Sequence, residues 1–549
     1  MTKVEEPQAA SWPNYQGFDN EYEQHTPIAL TVKGEIPRYA AGVLYRTGAI
    51  GYKIKTDQGD TWAAKHWFDG LSAVHRFQIE ASHSGPVQVK YNSRRTVDEY
   101  LEMVRKTGSL DSITFASKRD PCKSIFMKFF TMFTAQRSSK NVGVTVSINM
   151  PGGGYVKNAE GGEENSHVKD NGIATLHAKT DNPLFKQIDP ETLEPVGTAS
   201  QSSLHPELKG HLSASHAKAD PVTGDMFNFN LELGLTPTYR VFGTSAATGE
   251  TSILATFRGT PAYIHSLFLT ENYVVLCVWN SHITWGGVAV MYHKNICDAI
   301  APLDKSKRAM WYVVDRRHGK GLVATYDTDP FFCFHTVNAW EEHVEGKTDI
   351  VLELEGYDNV DVIHRYYYDN LMSTGDADGK YAGKNRESVL PAHRQYRLST
   401  VNSPLGAGKT LPGELVFQAD KFLSMELPTI NPAYLTRKHR FTYGVCDRLK
   451  SSFLDSIIKF DNVSRTGIFW ETEGHTPSEP IFVPDPNGEA EDDGVILSVV
   501  LDGLEGKSYL LCLDARDLSE KGKAEMDQAM AFTFHGTHRG VTGLAAADI

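Results

Sequence analysis

The sequence lacks the features that define several common classes of protein. None of its six cysteines forms a C-x-x-C pair, which excludes zinc knuckles and thioredoxin-like redox motifs. No apolar run is long enough to span a bilayer, and residues 1–24 lack the basic and apolar regions of a signal peptide. Lysine and arginine number 55 against 68 acidic residues, so the net charge of −13 argues against nucleic acid as a partner. We therefore expect a cytoplasmic protein whose thiols are buried and reduced.

Short β-branched and aromatic segments dominate the 549 residues, of which 40% are apolar. Typical examples are GVLYRTG (42–48) and YVVLCVW (273–279), and turn segments such as DPETLEPVG (189–197) separate such runs. This pattern predicts one all-β domain over residues 1–549. A β-propeller fits best, because radially repeated sheets let a single domain accommodate such a length. The number of blades does not follow from the pattern.

Helical patterns interrupt the strands, and we interpret them as a cap, with insertions near residues 91–140 and 282–310. Residues 96–108 show helical spacing of apolar side chains and end in glycine. Residues 120–135 predict a second helix, with an aromatic face made of Phe126, Phe129, Phe130 and Phe133. Two interpretations of this face stay open. It contacts a membrane or the substrate entrance, or it packs on the propeller as ordinary core.

Five of the 21 histidines interrupt apolar, strand-like segments: His216, His265, His335, His364 and His535. A single buried histidine is usually a satisfied core residue, but five spread over more than three hundred residues indicate a shared role. Inner strands of a propeller line its central axis, so histidines on several of them would converge there. Four neutral imidazoles suit a divalent first-row metal such as Fe(II) and leave positions open for a small molecule.

Two acidic residues also lie in apolar settings. Glu426 lies in SMELPTINP and Glu479 lies in HTPSEPIFVPDP, and neither has the charged neighbours of a solvated face. A metal-bound imidazole usually donates its other N–H to such an acceptor. Both glutamates are therefore candidates for orienting the histidines.

Taken together, these segments resemble the carotenoid cleavage oxygenase family, and the similarity runs nearly end to end. GVLYRTG and HWFDGLSAVHRF resemble its N-terminal blade. Its four iron–histidine motifs are matched by SASHAKADPVTGDMF, YIHSLFLTENYVVL, FFCFHTVNAWEE and FTFHGTHRG. MELPTINPAY and PSEPIFVPDP resemble the motifs of the glutamates that hold those histidines. Each piece alone is weak, but the combination is specific.

The resemblance implies a role for each matching residue. The implied iron ligands are His216, His265, His335 and His535. The implied acceptors behind them are Glu426, Glu479 and Asp181, the last standing where the family usually has glutamate. His364 and His538 match no motif and are predicted to be structural.

The resemblance also implies an architecture and a reaction. The expected fold is a seven-bladed propeller with a helical cap over the iron face and an apolar tunnel. The expected cofactor is one Fe(II) per chain, with O₂ as co-substrate. The enzyme would cleave a carbon–carbon double bond into two carbonyl products, with no catalytic residue required beyond the iron centre.

The substrate is predicted less sharply. YNSRR (91–95) and DPCKSIFMKF (120–129) look most similar to the fungal, torulene dioxygenase-like branch, which favours a carotenoid or apocarotenoid. The alternative is a stilbenoid or phenylpropene, held through Tyr91, Tyr100 or Lys140. A remote alternative is a metal-free propeller that binds partners. A carotenoid substrate would bring the cytoplasmic protein into peripheral contact with membranes or lipid bodies.

Overall fold

The structure is a computed structural model that describes residues 13–82, 85–108, 113–116, 141–153, 172–372, 381, 383–402 and 408–541. Strands dominate the described residues, and helices are few and short. The prediction of an all-β protein is confirmed, and the strands form a propeller-like arrangement of small sheets.

The strands follow one another in antiparallel groups along the chain. The first six are β1 (Ile28–Gly34), β2 (Gly42–Ala49), β3 (Lys53–Lys55), β4 (Thr61–Ala63), β5 (Ser72–Glu80) and β6 (Gln88–Arg95). Two four-stranded sheets follow, made of β7 (Thr145–Ile148), β8 (Leu176–Lys179), β9 (Leu184–Ile188) and β10 (Pro195–Ser200), then β11 (Lys218–Ala219), β12 (Met226–Glu232), β13 (Thr238–Thr244) and β14 (Thr251–Arg258).

Three more separate sheets follow in the described residues. The first contains β15 (Phe268–Leu269), β16 (Tyr273–Val278), β17 (Ala309–Asp315) and β18 (Leu322–Thr328). The second contains β19 (Phe332–Val344), β20 (Lys347–Tyr357) and β21 (Ala392–Leu398). The edge strand β22 (Thr410–Pro412) pairs in parallel with β18, whereas β23 (Glu414–Gln418) pairs with β21. The last of the three contains β24 (Glu426–Thr429), β25 (Phe441–Cys446), β26 (Ser456–Asp461) and β27 (Thr466–Trp470).

The two ends of the described chain share one ten-stranded sheet. Its C-terminal strands are β28 (His475–Pro477), β29 (Ile481–Pro484), β30 (Gly494–Asp502), β31 (Lys507–Asp514), β32 (Glu520–Glu525) and β33 (Thr533–Gly540). Strand β1 pairs with β32 on one side and with β6 on the other, which merges two strand groups into one sheet. The described residues thus form five separate sheets and one ten-stranded sheet, apart from the small β3–β4 hairpin, where the resemblance implied seven blades.

Strand β33 closes the ring by pairing with β2 near the start of the chain. The register runs from Gly42 opposite Gly540 to Gly48 opposite Thr533, with a bulge after Arg46. The last described strand thus both closes the structure and carries His535.

The predicted turns have the expected chemistry. Oδ1 of Asp189 accepts hydrogen bonds from the backbone N–H groups of residues 191 and 192, at 2.9 and 2.8 Å. Oδ1 of Asp220 does the same for residues 222 and 223, at 2.8 and 2.9 Å. These side-chain caps fix the hairpins, and Oδ2 of Asp220 also pairs with Arg316 and Arg317, which follow β17 in the neighbouring sheet.

The helical segments are short. The described α-helices are Tyr15–Phe18, Asp98–Thr107, Gln201–Leu204, Val288–His293, Asp361–Arg365 and Tyr368–Leu371. The described 3₁₀ turns are Arg38–Ala40, Trp67–Asp69, Trp285–Gly287, Cys297–Ala299, Gly383–Val389, Lys421–Leu423 and Pro432–Tyr434.

Three predictions concern these helices. The helix predicted at 96–108 is confirmed, and it ends at Gly108 in the left-handed conformation at φ 63°. His364, which we expected on a strand, lies in the helix Asp361–Arg365, because three tyrosines after it extend an apolar pattern that fits either period. The predicted helix at 120–135, with all four phenylalanines of its aromatic face, lies outside the described residues.

The described cysteines are Cys277, Cys297, Cys333, Cys446 and Cys512, and all are free and buried. Burial raises the pKa of the Cys277 and Cys333 thiols well above the usual value, so both stay protonated. The prediction of buried reduced thiols is confirmed for these five.

Ring closure generates a stability prediction. Gly42 has φ +155°, and a Cβ at this position would lie 2.2 Å from the carbonyl oxygen of Arg539 in β33. We expect Gly42→Ala to lower the free energy of unfolding by about 2–5 kcal/mol, since backbone strain and a steric clash add. Gly59→Ala is the control, because Gly59 also has positive φ, at 90°, but has no heavy atom within 4 Å of a built Cβ. Equal losses in denaturant unfolding would show that the β2–β33 contact does not limit stability.

Candidate metal centre

Four histidines from distant parts of the sequence converge in the interior. His216, His265, His335 and His535 are all buried, and the potential ligand atoms of the four lie within 4.8 Å of one another. The Nε2 atoms of His216 and His535 are 3.1 Å apart, and those of His335 and His535 are 3.3 Å apart. The structure thus brings together the four histidines that the sequence indicated.

The local structure that holds each histidine differs from the prediction of four inner strands. Only His335 in β19 and His535 in β33 lie within strands of the described chain. His216 precedes the two-residue strand β11 and makes an isolated parallel bridge with Ser266. His265 precedes the two-residue strand β15. Ladder hydrogen bonds therefore support His216 and His265 much less than they support His335 and His535.

Buried carboxylates orient three of the imidazoles. Nδ1 of His265 lies 2.8 Å from Oδ1 of Asp181, and Nδ1 of His535 lies 2.7 Å from Oε1 of Glu479. Nδ1 of His335 is hydrogen-bonded to Glu426. The shorter Asp181 side chain reaches its histidine as well as the two glutamates reach theirs. All three predicted acids therefore lie where the sequence interpretation required them.

Each carboxylate is itself held by a further donor. The Tyr263 hydroxyl donates to Asp181 at 2.8 Å, and the Ser215 hydroxyl donates to it at 2.5 Å. The Tyr357 hydroxyl donates to Glu426. The remaining pair is an ion pair, in which Nη1 of the buried Arg46 lies 2.8 Å from Oε2 of Glu479. These contacts fix the position of each carboxylate and hence of the imidazole in front of it.

The acids differ in their electrostatic surroundings. Burial opposes ionisation of Asp181 and Glu426, but the facing histidines and the hydroxyl donors outweigh burial and lower both pKa values. Burial raises the pKa of Glu479 to about 7, although Arg46 acts in the opposite direction. Burial also holds the pKa of His216 well below the usual value, with the other three imidazoles adding to the effect. His216 is therefore neutral, which is the form that binds a metal.

The donor set fits a metal ion. An ionised carboxylate only accepts hydrogen bonds, so Nδ1 of His335 must carry the proton and its Nε2 must present a lone pair. The same holds for His535 against Glu479. Two lone pairs that face each other at 3.3 Å repel unless a cation lies between them. Nitrogens bound at about 2.1 Å to one ion lie about 3.0–3.4 Å apart at angles of 90–110°, which matches the observed spacing.

An apolar cavity of about 270 Å³ opens beside the tetrad. His265, His335 and His535 line its floor. The rest of its described wall is mainly apolar, and its aromatic members include Trp67, Phe68, Phe115, Phe334, Tyr366, Phe453 and Phe534. Tyr100, Val290 and Ile296 also line it, so both predicted cap insertions contribute to the wall. The cavity can shelter an apolar molecule against the metal site.

Other predicted residues lie apart from this centre. His538 is buried on the same strand as His535, but its Nε2 lies 3.1 Å from the carbonyl oxygen of Ala40. Nδ1 of His364 lies 3.8 Å from Sγ of Cys297. Tyr91 is buried and hydrogen-bonded to His75, away from the cavity, whereas Tyr100 lines it. Lys140 lies outside the described residues.

The sequence did not identify the residues that hydrogen-bond to the three carboxylates. Arg46 was detectable, because it is the one charged residue in the apolar segment GVLYRTG. Tyr263 and Tyr357 had no signal, since tyrosine is common in strands. The aromatic wall had none either, because core and cavity aromatics look alike in sequence.

Comparison with known proteins agrees with this geometry. The model of the family described as Retinal pigment epithelial membrane protein (RPE65) matches residues 17–540. The chain belongs to the RPE65/carotenoid oxygenase family. This confirms the resemblance, since the match covers nearly the whole chain.

Several members of the family are close in sequence. A protein named Carotenoid dioxygenase from Neurospora crassa is 43% identical over 96% of this chain and 91% of its own length. A protein named Torulene dioxygenase from Gibberella fujikuroi is 41% identical over 96% of this chain and 94% of its own. Among solved structures, cobalt-substituted Synechocystis apocarotenoid oxygenase matches with a TM-score of 0.72 at 21% identity, covering 97% of this chain and 99% of that one. This last likeness shows the shared fold.

The next prediction concerns the three carboxylates that are hydrogen-bonded to histidines of the tetrad. Glu426→Gln, Glu479→Gln and Asp181→Asn should each weaken metal binding about ten- to a hundredfold, because the imidazole loses its orienting acceptor. Metal content and dissociation rate measure this. Glu479→Gln should also be the least stable of the three, since it leaves the buried Arg46 without a counter-charge.

Glu353→Gln is the matched control. It breaks a fully buried carboxylate–imidazole contact of 3.1 Å with His439, which is not part of the tetrad. Metal loss in this variant equal to that of Glu426→Gln would mean that any buried acid affects the site through stability alone.

Proposed function

We propose that this protein is an iron(II)-dependent dioxygenase that cleaves a carbon–carbon double bond of a carotenoid or apocarotenoid with O₂. Both oxygen atoms enter the products, which are two carbonyl compounds. The observation that carries the proposal is the pair of imidazole lone pairs, on His335 and His535, that face each other at 3.3 Å beside an apolar cavity. Relatives at 41–43% identity that are named for carotenoid and torulene cleavage support the reaction class.

The four histidines would hold one Fe(II) per chain, and Glu426, Glu479 and Asp181 would keep Nδ1 of three of them protonated. When bound, ferrous iron supplies the redox chemistry that activates O₂. The chain itself binds the polyene in the aromatic cavity, aligns one double bond with the centre and excludes water. Phe334 lines the cavity with its ring centroid 5.7 Å from that of His265, and is therefore placed to set that alignment.

The substrate is proposed to be a polyene because the cavity wall is mainly apolar. A stilbenoid would need polar groups for its phenol, and the wall does carry some, including Tyr100, Asp69 and Asn141. Tyr91, also considered for that task, is buried away from the cavity. The named relatives add weight to a carotenoid over a stilbenoid or phenylpropene.

The finer architecture is also a proposal. Strand β1 joins two strand groups in the ten-stranded sheet, β28–β32 and β33 with β2, β5 and β6. We count each group as one blade, which with the five separate sheets gives a seven-bladed propeller within a single domain. The insertions near 91–140 and 282–310 would then form the cap.

The function is tested with purified, iron-loaded protein, O₂ and a panel of carotenoids, apocarotenals and stilbenes, with products identified by mass spectrometry. Two carbonyl products from a carotenoid are expected, with iron close to one per chain. Replacing any of His216, His265, His335 or His535 by Ala should abolish turnover, because the metal loses a ligand. His538→Gln should retain it. Cleavage confined to stilbenes, or wild-type protein that takes up no iron, would contradict the proposal.

We further propose that this cytoplasmic protein contacts membranes or lipid bodies peripherally to obtain its apolar substrate. None of the described helices is long and apolar enough to cross a membrane. Leu235 and Trp285 are 102% and 62% exposed, and their loops touch, since a Cβ at Gly286 would lie 3.6 Å from the Gly234 oxygen. The loop of Leu235 borders the cavity, because the backbone N–H of Leu233 donates to Nδ1 of the cavity residue His211 at 3.2 Å.

Replacing both Leu235 and Trp285 by Ser should reduce binding to phospholipid vesicles and turnover of vesicle-borne carotenoid, while thermal stability stays nearly unchanged. Phe129→Ser with Phe130→Ser tests the predicted aromatic face in the same way, and a large fall in melting temperature there would show that those rings are core. Val222→Ser is the control, because Val222 is 82% exposed but lies at the opposite end of β12 from Leu235. Unchanged vesicle binding in both double variants would refute membrane contact through these residues.

A further inference from the structure

Four buried hydroxyl side chains lie on the segments that surround the histidine tetrad. We call them the hydroxyl belt: Thr47, Thr145, Ser266 and Thr336. Each is at most 1% exposed. Each hydroxyl donates a hydrogen bond to a backbone carbonyl of another strand or segment. The acceptor carbonyls belong to a metal-site histidine or to a residue within two positions of one.

The first half of the belt joins the segments of His535 and His216. The Thr47 hydroxyl in β2 lies 3.2 Å from the carbonyl oxygen of His535 and 2.6 Å from that of Val144. The next residue after Val144, Thr145, donates its hydroxyl to the carbonyl of Ser215 at 2.7 Å. Ser215 directly precedes His216.

The second half joins His216, His265 and His335. The backbone N–H of His216 donates to the carbonyl of His265 at 3.3 Å. The Ser266 hydroxyl donates to the carbonyl of Phe334 at 2.7 Å and accepts the backbone N–H of Thr336 at 3.1 Å. The Thr336 hydroxyl returns a bond to the carbonyl of Leu267 at 3.0 Å. A continuous series of hydrogen bonds thus links all four histidine-bearing segments.

We propose that the hydroxyl belt consists of positioning residues that hold the four histidine backbones at the spacing a metal ion requires. The carboxylates fix the direction of three rings and join them to other segments through the side chains, whereas the belt bonds act on the backbones of the histidine segments. In the described residues the sheets of β11, β15 and β19 are separate, with an isolated bridge between His216 and Ser266, so the distance between these backbones depends on other contacts. Polar bonds with defined length set it more sharply than apolar packing does.

Ser266 is the central member of the belt. The strands that follow His216 and His265, β11 and β15, are only two residues long, so regular pairing contributes little to holding those rings. Ser266 is bridged to His216 on one side and bonded to the segment of His335 on the other. It therefore couples three of the four ligand segments, that of His216 through backbone pairing and that of His335 through its hydroxyl.

The inference rests on the proposed metal centre, and its test uses Co(II) as a probe, the metal already substituted into the Synechocystis relative. Full-length wild type, Ser266→Ala, Thr336→Val and the double variant are loaded with Co(II). Three quantities are then measured: the visible absorption of bound Co(II), its dissociation rate into excess chelator, and the melting temperature. The isosteric Thr336→Val removes one hydroxyl without creating a cavity, so the test does not depend on Ser266→Ala alone.

Ser93→Ala is the control. Ser93 is also a buried serine, 0% exposed, and its hydroxyl oxygen accepts the backbone N–H of Gln24 at 3.0 Å, with both residues more than 100 positions from any tetrad histidine. It should lower the melting temperature about as much as Ser266→Ala, but leave the Co(II) spectrum and dissociation rate unchanged.

We expect Co(II) to dissociate about tenfold faster from Ser266→Ala, with a shifted absorption band, and somewhat faster from Thr336→Val. In the double variant, the Co(II) dissociation rate should increase by less than the product of the two single-variant factors, because the two hydroxyls act in one cluster. Dissociation rates and spectra equal to wild type in both single variants would overturn the belt's role while leaving the metal centre intact. Wild-type protein that binds no Co(II) would instead overturn the proposed metal centre, and the belt's role with it.

Discussion

The interaction on which the rest of the structure depends is the hydrogen bond from Nδ1 of a histidine to a buried carboxylate, made three times around one point. Asp181, Glu426 and Glu479 each accept such a bond. Each bond fixes the tautomer, and each therefore turns an Nε2 lone pair inward. Three inward lone pairs are mutually repulsive in a protein interior. A fold that brings them together needs both a cation to satisfy them and a rigid frame to resist their separation.

The charges around this point balance with a divalent cation when all three carboxylates are ionised, which for Glu479 requires a pH above about 7. The carboxylates then carry three negative charges, and the buried Arg46 contributes one positive charge in contact with Glu479. A divalent ion brings the total to zero, whereas a trivalent one would leave an uncompensated charge in a dry site. Hydroxyl groups of Tyr263, Tyr357 and Ser215 bond to the carboxylates without adding charge. The polar composition of the site therefore suits a divalent metal ion.

The sequence predicted the histidines and carboxylates of the site better than the residues that hold them in place. Five histidines stood out because each interrupts an apolar run, and the resemblance separated His364 from the other four. Glu426 and Glu479 stood out as acids in apolar settings, and Asp181 followed from the resemblance. The ion pair of Arg46 with Glu479 joins residues 433 positions apart, and no local pattern encodes such a contact. The aromatic cavity wall was invisible for a related reason, since Phe115 and Phe334 satisfy the same strand or core pattern wherever they face. The merging of two strand groups through β1 was also unpredictable, because its pairing with β32 and β6 depends on tertiary contact at both edges.

Closure of the ring by β2 and β33 has a consequence for how the protein is made. The ligands arrive from the ribosome in the order His216, His265, His335 and His535, and the last is made 200 residues after the third. Until β33 is made, β2 has no closing partner, and Arg46 lacks Thr533. A nascent chain thus carries three of the four imidazoles without the geometry that unites them. Oxidative chemistry is withheld until β33 is in place, and a chain that terminates before β33 should remain inert towards O₂.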